Sequence, residues 1–159
     1  MKILSLWGKG SKGKTTTINL LTKLLSNNFK NIDASKYPIT IPVNMKKDNL
    51  YVLKYKSKKI GITTRGDNKE ALEEDFKDLP NDCALYICAT RTKGETCKYI
   101  EDRTTDGDIF WIAKASLSRE THNKYVTDSF IKGLQKKANE NQAEILVAFI
   151  DEMIQNNII

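Results

Sequence analysis

Gly8-Lys9-Gly10-Ser11-Lys12-Gly13-Lys14-Thr15 is the stretch that decides how this chain is read. The eight residues fit the pattern G-x-x-x-x-G-K-[ST] at every position. Before them, Ile3, Leu4, Leu6 and Trp7 form an apolar run of strand length that ends at Gly8. After them, residues 15–25 place Ile18, Leu21, Leu24 and Leu25 on one face, at the period of a helix. Strand, glycine-rich loop and helix is the order that phosphate binding needs. Glycines let the backbone curl until its N–H groups point inward, and the positive end of the helix dipole adds to that field. The stretch therefore predicts a site for a nucleoside triphosphate, held by Gly8, Lys9, Gly10, Ser11, Lys12, Gly13, Lys14, Thr15 and Thr16. Lys14 is expected on the β/γ-phosphate oxygens and the Thr15 hydroxyl on Mg²⁺.

Further along, residues 29–32 read as a short strand ending at Asp33, and residues 37–42, with Pro38 and Pro42, as an extended connection. Residues 50–56 and 59–64 read as two strands of an antiparallel hairpin whose turn lacks the favoured glycine. Gly66-Asp67-Asn68 then caps a helix with Leu72, Phe76 and Leu79 at helical spacing, and Pro80 stops it. Residues 84–89 (ALYICA) form a continuous apolar run, as in a strand buried in a parallel sheet. Residues 95–101 predict a short helix and residues 109–113 another strand. From about Arg119 the chain reads as helical, with a break at residues 139–141. Its last part carries an apolar stripe of Ala143, Leu146, Phe149, Ile150, Met153 and Ile154. Strands alternating with helices predict a three-layer α/β domain with a mainly parallel sheet, one hairpin at about 50–64 and a C-terminal helical segment.

At 159 residues the chain is read as one domain, 1–159. No apolar run approaches the roughly 20 residues that span a membrane, and the N-terminus reads as a strand, not a cleavable signal. Cys83, Cys88 and Cys97 are too few, and odd in number, for a disulfide framework; buried structural thiols in a reducing cytoplasm are expected. Their spacing, even with His122, is not that of a zinc site. The net charge of +6 favours anionic ligands. Nucleic-acid binding is not supported, because the lysines are spread along the chain and no aromatic-plus-basic stacking pattern stands out; the local basic patch of Lys46-Lys47 and residues 54–59 reads as a solvated hairpin.

The first segment, MKILSLWGKGSKGKTTTINLL, resembles the opening of P-loop NTPases. More narrowly, it is similar to the partition-ATPase and nitrogenase-iron-protein class, whose deviant motif carries a second lysine where Lys9 stands. That resemblance implies a dimer sandwiching the nucleotides, with Lys9 acting on the partner's γ-phosphate. The sequence departs from the class at Ser11 and Lys12, where glycine and a small apolar residue are usual. Asn31-Ile32-Asp33-Ala34 extends the likeness, since the class ends its next strand in an aspartate near Mg²⁺ and the attacking water.

A second acid for the metal side is Asp67, in the loop after residues 59–64; capping the following helix is its other reading. Thr90 to Thr96 leaves a buried strand where open α/β sheets bind ligands. It offers Arg91 and Lys93 to phosphate, Gly94 for a turn and Glu95 as a base, or else it is a solvated loop. Arg65 and Arg91, at corresponding strand ends, are a candidate pair for stabilising a transferring phosphoryl group. The candidate catalytic residues are thus Lys14, Lys9, Asp67 and Arg91, and the candidate metal ligands Thr15, Asp33 and Asp67. ATP is favoured over GTP: Asn123-Lys124-Tyr125-Val126 lacks the aspartate of a guanine-reading N-K-x-D segment.

Three functions fit this pattern. One is a small Mg²⁺-dependent ATPase that switches a protein partner or a dimer. Another is a kinase acting on a nucleoside or nucleotide. The third is a nucleotide-binding module without significant turnover.

Overall fold

The computed structural model describes residues 1–10, 13–27, 50–66, 68–105, 107–116 and 128–159. Ser11, Lys12, Asp33, Lys46, Lys47, Asp67, residues 29–32 and 37–42, Arg119, His122, Asn123 and Lys124 lie outside them.

Nine elements run in the order β1 (Lys2–Trp7), α1 (Lys14–Asn27), β2 (Leu50–Tyr55), β3 (Lys58–Thr63), α2 (Lys69–Asp78), β4 (Cys83–Thr90), α3 (Glu95–Glu101), β5 (Ile109–Ala113) and α4 (Asp128–Gln155), counted among the described residues. The strands form one sheet in the order β2-β3-β4-β1-β5. β1 pairs in parallel with β4 and β5, and β3 with β4; only β2 runs antiparallel, to β3. The chain is α/β, with the mainly parallel sheet that the alternation of strands and helices predicts.

The two faces of the sheet follow from side-chain alternation. Leu4 and Leu6 of β1, with Leu85, Ile87 and Ala89 of β4, point to a core filled by Ile18, Leu21 and Leu25 of α1 and Ala143, Leu146, Ile150 and Met153 of α4. The intervening residues Ile3, Tyr86 and Cys88 point the other way, to Leu72 of α2 and Tyr99 and Ile100 of α3. Helices therefore cover both faces. A strand packed on both sides must be apolar throughout, which is why β4 reads CALYICAT with no polar side. β2, at one end of the sheet, alternates instead: Tyr51, Leu53 and Tyr55 are buried and Lys54 is exposed.

The hairpin forms where expected, and the missing glycine is replaced by an unusual backbone. Lys56 and Ser57 both adopt positive φ, 44° and 69°. A two-residue turn of the type that matches strand twist needs this at both positions. Lys56 Nζ lies 2.7 Å from Asp151 Oδ1, tying the turn to α4.

α2 begins at Asn68, whose side-chain oxygen accepts the N–H groups of Glu70 and Ala71 at 2.9 and 3.4 Å. It ends at Leu79, which is extended because it precedes Pro80. α4 corrects the expected break at residues 139–141: the helix runs unbroken through them. Asn139 is buried, and its carbonyl accepts Gln135 Nε2 one turn earlier at 3.0 Å. The asparagine side chain thus bonds to Gln135 of its own helix and to Thr17 of α1 instead of competing for the backbone. Asn157, at φ 54°, closes α4, and Ile158 N–H reaches back to Met153 O at 2.8 Å.

Candidate functional site

β1, β3, β4 and β5 are mutually parallel, so their C-terminal ends open on one rim. Open α/β sheets bind ligands at such rims, where neighbouring connections diverge. β1 lies between β4 and β5, and the loop from Gly8 to Gly13 leaves from this point.

Backbone bonds fasten the loop's first residue to the sheet. Gly8 N–H donates to Thr90 O of β4 at 3.2 Å, and Lys114 N–H, just past β5, donates to Trp7 O at 2.8 Å. Beneath, the hydroxyls of Ser5 and Thr90 share a buried hydrogen bond of 2.7 Å. At the other end Gly13 takes φ +80°, and its carbonyl accepts Thr17 N–H at 3.0 Å. Any Cβ on Gly13 would also come within 2.9 Å of Asn139 Oδ1. That position requires glycine twice over, for its dihedral and for its neighbour.

Lys14, the first residue of α1, is buried, and its ammonium donates to Gly8 O at 2.9 Å and Lys9 O at 3.1 Å. The side chain thus reaches back to the first two residues of the loop and places its ammonium there. Lys9, Gly10, Thr15 and Thr16 are exposed. The first turn of α1 contains no acidic residue, so no carboxylate within that turn opposes the positive helix end.

The other candidates divide into two groups. Arg91 and Glu95 border one surface depression together with Lys93 and Asn68, the cap of α2. Gly94 serves the turn there, at φ 108°, as the N-cap of α3. Arg65 points elsewhere. Its guanidinium pairs with Glu74 at 3.2 Å and with the wholly buried carboxylate of Asp75, so its charge is committed to α2 rather than shared with Arg91. Tyr86 Oη donates to the second oxygen of Asp75 at 3.3 Å. Burial pushes the Tyr86 hydroxyl far above its ordinary range.

Asp75 was not legible as a partner, since an acid within EALEEDF looks like any other residue on a solvated helix face. Lys114 was equally silent. It follows β5, is buried, and packs its Cβ where a side chain on Gly8 would meet it at 3.1 Å. Desolvation lowers the pKa of its ammonium. The available signal was a lysine directly after an apolar strand, which acquires meaning only once β5 is known to lie beside β1.

The cysteines separate too. Cys83 and Cys88 are buried as expected, and burial raises the Cys88 thiol to about 12. Cys97 corrects the expectation, being only half-buried on α3. Among the described residues no cluster of three or more His, Cys, Asp or Glu is arranged to hold a metal, and no helix is long and apolar enough to cross a membrane. No protein-family model, curated protein or solved structure matches this chain.

Proposed function

We propose that this chain binds ATP with Mg²⁺ at residues 8–16 and hydrolyses it, as a small switch ATPase acting with a protein partner or a second copy of itself. The observation that carries this reading is Lys14. Its buried ammonium is braced by the carbonyls of Gly8 and Lys9, at the head of a helix and on the rim where parallel strands end. A cation held at the head of that helix is suited to meet the oxygens of a polyphosphate. Gly8, Gly10 and Gly13 would let backbone N–H groups face the phosphates, Lys14 would neutralise the β/γ oxygens, and the exposed Thr15 hydroxyl would join Mg²⁺. Asp33 or Asp67 would complete the metal shell or orient the nucleophile. Lys9, exposed beside the loop, is the candidate for reaching a partner's γ-phosphate.

A kinase is the second reading. It is favoured by the depression joining Arg91, Lys93 and Glu95 to the start of α2, which sets cations and a carboxylate beside the loop's anchor at Thr90.

Both are tested by following labelled γ-phosphate of ATP with and without added nucleosides and nucleotides, using Lys14→Ala as blank. Free phosphate alone supports the ATPase; label on an acceptor supports the kinase. Turnover undiminished in Lys14→Ala overturns both. Full hydrolysis in Lys9→Ala removes the proposed action in trans.

A further inference from the structure

The chain has two tryptophans, Trp7 and Trp111, and they meet at one cleft. Register explains why. Ser5 pairs with Trp111 across β1 and β5, and Trp7 lies two residues beyond Ser5, so both indoles stand on the same face of the sheet. It is the face covered by α2 and α3, opposite the one that carries α1. The cleft measures ≈ 260 Å³, and its remaining walls are Thr92, Cys97 and Glu101. Cys97 and Glu101 are one turn apart on α3 and so project from the same side of it.

Trp111 is 38% exposed, an expensive residue to leave in water beside a concavity. Two indole surfaces, one carboxylate acceptor and one hydroxyl are the elements that recognise a flat heterocycle with N–H donors on its edge. The volume lies just under the range of drug-sized sites, which suits a ligand no larger than a nucleoside. The position matters as well. Trp7 directly precedes Gly8, so a ring held there sits at the sheet rim next to the phosphate loop, but across the sheet from α1.

We infer that the cleft between Trp7 and Trp111 is a second ligand site, which takes the base of an amino-bearing purine nucleoside. The rings stack on the indoles, and the Glu101 carboxylate accepts an N–H from the base edge. This site is separate from the ATP site proposed above and needs none of its phosphate contacts.

Because both tryptophans line the cleft, their fluorescence reports on it directly. Adenosine and guanosine, titrated with excitation at the red edge of indole absorption, are expected to quench emission saturably; uridine, with a smaller ring and no amino group, is expected to bind more weakly. Trp111→Leu keeps an apolar residue at the site and leaves Trp7 as reporter; it should weaken purine binding by about tenfold or more. Glu101→Gln, on the exposed end of α3, should weaken it without disturbing the fold. Adenosine has no phosphate and should bind Lys14→Ala as it binds wild type, whereas binding of inorganic triphosphate, which has no base to enter the cleft, should be lost in Lys14→Ala. Saturable adenosine binding without triphosphate binding in the wild type would remove the phosphate-loop reading and leave the cleft standing. Absence of purine quenching, or equal quenching in wild type and in folded Trp111→Leu and Glu101→Gln, would overturn the cleft.

Discussion

Asn139 of α4 stands directly over Gly13: a Cβ on that glycine would lie 2.9 Å from the Asn139 side-chain oxygen. The same oxygen accepts Gln135 Nε2 at 3.0 Å and Thr17 Oγ1 at 3.5 Å. The last glycine of the glycine-rich stretch is thus roofed by the C-terminal helix, so the backbone at Gly13 depends on how α1 and α4 pack. Gly13→Ala is expected to cost about 1–2 kcal/mol from its left-handed backbone alone. Asn139→Ala should cost about 1 kcal/mol through lost hydrogen bonds. The double variant should cost less than the sum, because removing Asn139 also removes the steric conflict. Urea unfolding of the three variants provides the check, and strict additivity would contradict the contact.

Arg65 and Asp75 form the most buried ion pair of the described residues, with the carboxylate wholly inside. Arg65→Met strands the buried carboxylate and should destabilise by about 3 kcal/mol, whereas Asp75→Ala leaves the partly exposed guanidinium its second partner Glu74 and should cost less. The double variant should recover part of the loss. A thermal-denaturation double-mutant cycle measures the coupling; independent effects would show that the pair contributes nothing.

The hairpin turn holds Ser57 at φ 69° without a glycine. Ser57→Gly should relieve that backbone and stabilise the protein by about 1 kcal/mol, which for a chain of this size raises Tm by roughly 2–4 °C. Calorimetry decides, and a lowered Tm would mean that the serine side chain contributes more than its backbone costs.

Burial and the neighbouring Asp151 carboxylate push the Tyr55 hydroxyl up to about 12. Unfolded tyrosine titrates near 10, so the folded state holds this proton more tightly. Its contribution to stability is fully present below about pH 10 and is lost as pH rises toward 12. Unfolding free energies measured over that window should fall more steeply for wild type than for Tyr55→Phe; parallel curves would show that Tyr55 is not the group responsible.

Cys97 is half-buried, whereas Cys83 and Cys88 are enclosed and all three thiols are raised chiefly by burial. At pH 8 a thiol reagent should modify Cys97 alone in the native protein, more slowly than a free thiol, and all three after denaturation. Peptide mapping identifies the site, and native labelling of Cys88 would indicate that β4 opens readily.

Local patterns carried much of the fold. The alternation and runs of apolar residues located all five described strands, Asn68 and Pro80 marked both ends of α2, and the loop of glycines and Lys14 stood out from its spacing alone. These signals work because they act over a few residues, through backbone dihedrals, helix ends and the pleat of a strand. The apparent break at residues 139–141 misled for the same reason: the asparagines look like helix breakers until the bond from Gln135 is seen. Strand order has no such local marker, since it depends on which apolar faces bury most surface together. Only that order places β1 between β4 and β5, sets Lys114 against Gly8, and brings Trp7 and Trp111 to one cleft. Gly66 shows the limit most sharply. Its sequence context reads as part of the cap of the next helix, but the structure requires a glycine because a Cβ would fall 1.5 Å from Ala89 O of the neighbouring strand. Sequence determined which segments are strands, loops and helices; tertiary packing decided which side chains meet, because those contacts join residues that no local pattern relates.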